Sequence, residues 1–110
     1  MARYTLAGCS SATRGLFGGG FTTVDVNTID YVTIASAGNA TDFGDLSGSR
    51  RLVNGCSSAT RGLFGGGYDT DVSNVIDYVT IASTGNATDF GDLSVGRYRA
   101  AGLSNVHGGL

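Results

Sequence analysis

Apolar and polar residues along this chain follow the pattern of short β-strands, and no stretch shows the 3.6-residue period of an amphipathic helix. The clearest strand signal is NVIDYVTIAS at residues 74–83, which is rich in β-branched and aromatic residues and has one acidic interruption. Alternate residues of a strand point to opposite faces, so Val79 and Ile81 are expected on one face and Ile76 and Tyr78 on the other. Because both faces are apolar, this strand is predicted to be covered on both sides.

Three further strands are predicted around this one, separated by glycine and Asx turn signals. RLVNGCSSAT (51–60) and RGLFGGG (61–67) precede it, and ATDFGDLS (87–94) follows the turn signal TGN. The pattern therefore predicts a unit of four short strands within about 47 residues, with no helical segment.

The same unit is written twice, at an offset of 47 residues. GCSSATRGLFGGG stands at 8–20 and again, unchanged, at 55–67. When Gly8–Arg50 is aligned with Gly55–Arg97, 34 of the 43 positions are identical. A repeat of this length indicates a stack of similar units, and the strictly kept positions are expected to serve packing or turn geometry.

The repeat also divides the chain. We expect a first unit at 1–49, a second unit at 50–96 and the opening strand of a third at 97–110. Most differences between the two full units fall in FTTVDVNT (21–28) and YDTDVSNV (68–75), which predicts a solvent loop at that place in each unit.

Composition narrows the function classes. Every cation is Arg and every anion is Asp, while Lys, Glu, Gln, Pro and Trp are absent, so much of the usual helix-forming vocabulary is missing. The net charge is −2 and no basic block occurs, which argues against binding to nucleic acid. No apolar run reaches the roughly 18 residues of a membrane span, and no leader-like segment follows Met1, so a cytoplasmic product on expression is expected.

Four features recur at fixed places in the units: a leading arginine, a diglycine after the second strand, a tyrosine in the third strand and a phenylalanine in the fourth. They are Arg50 and Arg97; Gly19, Gly20, Gly66 and Gly67; Tyr31 and Tyr78; Phe43 and Phe90. The set resembles the kelch repeat of β-propellers, in which the fourth-strand residue is tryptophan. The amino-acid sequence of the unit is also similar to repeats in tail-fibre and other virion proteins of marine and cyanobacterial bacteriophages. The resemblance implies kelch-like propeller blades and a virion location.

Two blades do not close a propeller, which contains about four to eight. We therefore expect a head-to-tail homo-oligomer with an even number of blades, and six blades from a homotrimer are favoured. Residues 97–110 are expected to complete a blade of a neighbouring copy in trans, partly displacing its N-terminal segment. An engineered or excised fragment of a longer propeller is the alternative.

The residues with catalytic or metal-binding chemistry are few. His107 is the one histidine and lies in the partial third unit, so no catalytic triad is predicted. The glycine runs lack the lysine of a phosphate-binding loop and are predicted to be turns. Cys9 and Cys56 occupy the same repeat position, which favours a small apolar position over a disulfide or a zinc site. We expect a non-enzymatic structural or interaction module without cofactor or metal, with a propeller enzyme as the alternative.

Two groups of polar and aromatic residues remain as candidates. Arg14 and Arg61 open the second strands, and Asp30 and Asp77 lie in the third strands, so an Arg–Asp pair within each unit is expected. The divergent loops carry aromatic and polar side chains suited to stacking on, and hydrogen bonding to, a sugar or a protein, which makes a host-surface glycan or protein the expected ligand. These loop residues are Phe21, Tyr68, Asp69, Asp71 and Asn74.

Overall fold

The computed structural model describes residues 2–98 and 100, which form two four-stranded antiparallel sheets and one short hairpin. The first sheet contains β1 (Ala7–Ser10), β2 (Arg14–Gly18), β3 (Thr28–Thr33) and β4 (Thr41–Asp45). The second sheet contains β5 (Asn54–Ser57), β6 (Arg61–Gly65), β9 (Val75–Thr80) and β10 (Thr88–Asp92). The hairpin consists of β7 (Tyr68–Asp69) and β8 (Asp71–Val72).

Each sheet is a meander, with the strands side by side in chain order. Each of the four segments predicted as strands of the second unit contains one strand of the second sheet, so the all-β class and the two four-stranded units are confirmed. The third strand of each unit, β3 or β9, is dense in β-branched and aromatic residues. The first strands, β1 and β5, contain none and are held by pairing with β2 and β6.

The last strand of each unit contains a β-bulge at its phenylalanine. In β4, Asp42 pairs with Asp30 and Gly44 pairs with the adjacent Ile29, so Phe43 is the extra residue on its strand. The register shifts in the same way in β10 around Phe90. A bulge re-aims the side chain that it carries, which directs this phenylalanine out of the regular alternation of the strand.

The divergent loop is more ordered than the sequence predicts. In the second unit it forms the hairpin β7–β8, in which Tyr68 pairs with Val72. In the first unit the same place has only isolated bridges, of Phe21 with Asp25 and with Tyr4. A lead segment before each sheet, residues 2–6 in the first unit and 50–53 in the second, anchors the start of the loop through the bridges of Tyr4 with Phe21 and of Arg51 with Tyr68. Every residue of 21–28 and of 68–75 is exposed or half-buried, so the loops lie at the surface as predicted.

The diglycines close the second strands by backbone conformations that favour glycine. Gly19 and Gly20 have φ of 70° and 110°, and Gly66 and Gly67 have 68° and 104°. An added Cβ at Gly19 would also lie 2.8 Å from the carbonyl oxygen of Arg50, which belongs to the second lead segment. The turn geometry predicted for these glycines is what the structure contains.

The hydrophobic core lies between the two sheets. Its buried members from the first sheet and the connections at its two ends are Ala7, Leu16, Ile29, Phe43, Leu46 and Val53; those from the second sheet and its edge are Phe64, Val79 and Ile81. Val79 and Ile81 share a face with the fully buried Asp77, as the alternation predicts. The described structure thus covers this strand on one side with the first sheet.

Candidate functional site

The contact between the sheets joins unlike faces of the two units. An added Cβ at Gly18 would lie 2.8 Å from the ring of Phe64, and one at Gly62 would lie 2.6 Å from Cys9 Sγ. We call the face of the first sheet that carries Gly18 and Cys9 the front face, and the face of the second sheet that carries Phe64 and Gly62 the back face. The names also apply to the equivalent faces 47 residues away, so each sheet has a front face and a back face.

Equivalent residues differ in burial according to whether their face is covered. Phe43, on the covered front face, is 3% exposed, and Ile81 and Phe64, on the covered back face, are 1% and 0% exposed. Their counterparts on the outer faces, Phe90, Ile34 and Phe17, are 52%, 57% and 43% exposed. The front face of the second sheet and the back face of the first sheet therefore present the apolar groups that are core inside the chain.

Equivalent glycines also differ in the space around them, according to whether their face is covered. Gly55 has no room for a side chain, because an added Cβ would lie 2.6 Å from the carbonyl oxygen of Gly8. At Gly8, its counterpart on the outer back face, nothing lies nearer than 3.6 Å. Likewise Gly62 is crowded by the first sheet, whereas at Gly15 nothing lies nearer than 3.5 Å. The outer back face therefore has the same glycines as the covered back face, but within the described residues nothing packs closely against them.

A buried polar site lies in this contact at Asp77, which is 0% exposed. Arg50 Nη2 donates to Asp77 Oδ2 at 2.9 Å, the backbone N–H of Ser47 donates to it at 3.0 Å, and Ser47 Oγ donates to Asp77 Oδ1 at 2.7 Å. Arg50 Nη1 also donates to the carbonyl oxygen of Val75 at 3.0 Å. Burial lowers the pKa of the Arg50 guanidinium, and the charge of Asp77 opposes this. A buried carboxylate is tolerated only with such a complete set of donors.

The predicted pairs of Arg14 with Asp30 and of Arg61 with Asp77 are wrong. The register places Phe17 opposite Asp30, and Arg14 opposite Thr33 three pairs away. Asp30 instead pairs with Arg3, whose Nη2 lies 3.0 Å from Oδ2. The arginine comes from the lead segment, and Arg3 precedes Arg50 by one 47-residue period, which is the sequence signal that would have found it.

Arg14 and Arg61 stack on aromatic rings instead. The guanidinium carbon of each lies 4.4 Å from the ring centroid of the third-strand tyrosine, Tyr31 or Tyr78. Arg14 Nη1 also donates to the carbonyl oxygen of Ile81 in the second unit at 3.0 Å. Arg14 therefore contributes to the contact between the sheets, while Arg61 lies on the outer front face.

Turn residues of the second unit complete the edge of the first sheet. The backbone N–H groups of Gly85 and Ala87 donate to the carbonyl oxygens of Phe43 and Asp45, both at 2.8 Å. The N–H of Asp45 donates to Asn86 Oδ1 at 3.1 Å. These bonds fix the register of one sheet against the other.

The predicted ligand-binding residues divide between two places. Phe21 and Tyr68 lie beside Arg51, whose guanidinium carbon is 4.5 and 5.5 Å from their ring centroids, and Tyr68 lines a cavity of about 440 Å³ together with Tyr98. Asp71 accepts a hydrogen bond from the N–H of Val72 in its own hairpin at 2.8 Å. The remaining predicted residues, Asp69 and Asn74, line a second cavity of about 390 Å³ with Asp71. The structure therefore does not gather the five into one site.

A carboxylate pair next to Arg51 was not found from the sequence. Asp25 Oδ1 lies 3.2 Å from Arg51 Nε, yet that oxygen has no hydrogen-bond partner. Burial raises the pKa of Asp25, the nearby Asp69 raises it further, and the charge of Arg51 opposes both. Asp25 and Asp69 come from non-equivalent positions of the two divergent loops, so the repeat contained no signal for their approach.

Both cysteines are free thiols with a structural position. Burial, together with the neighbouring Cys56, raises the pKa of the Cys9 thiol to about 12. A thiol with so high a pKa is a poor nucleophile near neutral pH. Cys9 packs against Gly62 on the covered front face, and Cys56 holds the same position on the outer front face.

Within residues 2–98 and 100, no group of three His, Cys, Asp or Glu side chains is arranged as a metal site. His107, and the predicted trans segment apart from residues 97, 98 and 100, lie outside the described residues. The part of the chain that the structure describes contains no helix long and apolar enough to cross a membrane.

Comparison with protein-family models and with curated proteins finds no match for this sequence.

Proposed function

We propose that this chain is a non-enzymatic structural and interaction module whose copies join head to tail into a closed β-propeller. The observation that carries the proposal is the unequal burial of equivalent residues. Phe43 is core at 3% exposed, and Phe90, its repeat counterpart, is 52% exposed. A second copy whose outer back face meets this outer front face repeats the contact that already exists inside the chain.

The two outer faces complement each other because they carry the same residues as the two faces that already pack together inside the chain. On the front side Phe90 and Leu93 correspond to the buried Phe43 and Leu46. On the back side Ile34, at 57% exposed, corresponds to the buried Ile81. Such a contact is heterologous, so copies add in one direction until the rotation closes a ring. Chains of two units give an even number of blades, and three chains with six blades lie at the middle of the usual range.

The lead segments supply a reason for an exchange between copies. Arg3, Arg50 and Arg97 are equivalent, so one chain has three lead arginines for two sheets. The N–H groups of Gly20 and Gly67 donate to the carbonyl oxygens of Arg50 and Arg97 at 2.8 and 2.9 Å. The backbone of Arg97 therefore lies against the second sheet as the backbone of Arg50 lies against the first. In a ring, Arg3 of the next copy is the equivalent arginine, and its backbone would occupy this same position beside Gly67. The segment that starts at Arg97 therefore latches onto the neighbour and displaces the neighbour's Arg3.

The proposed role is that of a virion scaffold or adhesive component, following the resemblance to bacteriophage repeats. The aromatic and arginine side chains of the divergent loops, Phe21, Tyr68 and Arg51, lie together and offer a stacking surface for a host glycan or a protein. A glycan array probed with the assembled protein tests the adhesive part: retention of a defined sugar class supports it, and an empty array leaves a purely scaffolding role.

Native mass spectrometry and light scattering test the assembly. A trimer of the 11.1 kDa chain has a mass of about 33 kDa. A well-folded monomer at all concentrations would overturn the ring. Deletion of residues 97–110 tests the latch separately: a weaker or altered oligomer is expected, and an unchanged oligomer refutes the exchange.

A further inference from the structure

We propose that Asp30 binds a second copy of this chain, and that the residue of that copy which it binds is Ser94. The backbone N–H and the hydroxyl of Ser94 donate to the Asp30 carboxylate across the contact between copies. This inference rests on the proposed head-to-tail assembly and names the polar contact that sets its register.

The template is the Asp77 site inside the chain. Asp77 receives three kinds of donor: the Arg50 guanidinium, the Ser47 N–H and the Ser47 hydroxyl, at 2.9, 3.0 and 2.7 Å. Asp77 and Arg50 belong to the second unit and its lead segment, whereas Ser47 follows the last strand of the first unit. The carboxylate is therefore completed by the unit packed against it.

Asp30 is the same site with one donor set missing. In the single chain, Arg3 donates to Asp30 Oδ2 at 3.0 Å and to the carbonyl oxygens of Gly19 and Thr28 at 2.8 and 2.7 Å, so the chain's own arginine fills the arginine half of the site. In the proposed ring, Arg97 of the neighbouring copy takes over this half. Within the described residues no serine reaches Asp30, and its side chain is 28% exposed, against 0% for Asp77. The site is incomplete without a unit on the outer back face.

Ser94 already has the local shape that this contact needs. One residue before it, the N–H of Leu93 donates to the carbonyl oxygen of Asn74 at 2.6 Å, as Leu46 does to Asn27 at 2.7 Å before Ser47. Three residues after it, the N–H of Arg97 donates to the carbonyl oxygen of Ser73 at 3.1 Å. The equivalent bond follows Ser47, where the N–H of residue 50 donates to the carbonyl oxygen of residue 26 at 3.2 Å. The Ser94 loop is therefore held in the conformation of the Ser47 loop, on the outer front face, with no acid within the described residues for Ser94 to bind.

The experiment compares Ser94→Ala with Ser47→Ala. Each variant removes one hydroxyl from a charged acceptor, which weakens the interaction that it serves by about tenfold or more. Ser94→Ala is expected to raise the dissociation constant of the oligomer, measured by analytical ultracentrifugation, and to leave the unfolding of the dissociated chain unchanged. Ser47→Ala is expected to lower the stability of the chain itself. A Ser94→Ala oligomer that dissociates like the unmodified protein refutes the inference.

A double-mutant cycle shows whether the two residues act on each other. Asp30→Asn also disturbs the contact of Asp30 with its arginine, which is Arg3 in the single chain and Arg97 of the neighbouring copy in the proposed ring, so the single variant is not decisive. If Ser94 binds Asp30, Ser94→Ala costs much less in the Asp30→Asn background than in the unmodified chain. Additive effects refute the contact even if both variants weaken assembly. An unmodified protein that stays monomeric overturns the proposed function itself, whereas an oligomer indifferent to Ser94 overturns only this contact.

Discussion

Substitution of the two equivalent phenylalanines by alanine separates assembly from folding. Phe43 and Phe90 hold the same bulge position, and each makes an edge-to-face contact with the tyrosine of its own sheet, at 5.7 and 5.9 Å between ring centroids. They differ in what covers them: Phe43 is 3% exposed and Phe90 is 52% exposed. Phe90→Ala is therefore expected to act mainly on the contact between copies, and Phe43→Ala on the fold.

The size of the effect follows from the exposed area. A phenylalanine presents roughly 200 Å², so the 52% of Phe90 that is exposed amounts to about 100 Å². At about 25 cal/mol per Å², burying this area contributes ~2.5 kcal/mol to each contact between copies, or about 70-fold in its dissociation constant. A ring of three copies has three such contacts, so the loss is about 7.5 kcal/mol per ring. Phe43→Ala leaves a cavity in the core and is expected to cost about 3–5 kcal/mol of folding stability.

Sedimentation and thermal unfolding measure the two effects separately. Across a dilution series, Phe90→Ala is expected to dissociate at concentrations where the unmodified chain is assembled, while the dissociated chain keeps its β-sheet circular dichroism. Phe43→Ala is expected to show a lower unfolding midpoint before any dissociation. An unmodified assembly state in Phe90→Ala contradicts the reasoning, since it means that the outer front face is not the contact surface.

Three further outcomes are expected. Gly8→Ala is expected to weaken the oligomer by tenfold or more at little cost to the stability of the chain, because a Cβ added at Gly8 would lie no nearer than 3.6 Å to other atoms of the chain. Gly55→Ala is expected to overpack the contact with the first sheet and to lower the unfolding midpoint. Equal effects of the two substitutions on both properties would contradict this. Cys56, on the outer front face, is expected to react with iodoacetamide faster in the dissociated than in the assembled protein. Cys9 is expected to react slowly in both, because its thiol has a raised pKa. Mass-spectrometric mapping of the labelled thiols checks this. The folded state raises the pKa of Asp25 above 3.8, so it holds the proton of this carboxyl more tightly than the unfolded chain does, and the stability that this contributes is lost as pH rises through the raised pKa. In urea unfolding, Asp25→Asn is therefore expected to become more stabilising relative to the unmodified chain as pH rises through this range. A difference in unfolding free energy that does not change with pH would refute this.

The sequence determined the unit and its strands. Alternating apolar residues, glycine turns and the 47-residue offset predicted the four strands of the second unit, since these signals are local and depend on backbone propensity and turn chemistry. The face assignment of Val79 and Ile81 followed from strand geometry alone. The same reasoning failed for the Arg14–Asp30 pair, because a cross-strand partner depends on register, and the register placed Phe17 opposite that acid.

Only the tertiary structure decided what each copy of a repeated residue does. Phe43 and Phe90 have nearly identical neighbours in sequence, yet one is core and the other lies on an outer face. Asp77 is enclosed by donors from two units, and Asp30 has donors from one. Burial and hydrogen bonding are properties of what packs against a residue, and in a stacked repeat that neighbour comes from another unit, 47 residues away or on another copy, where no local pattern reaches it.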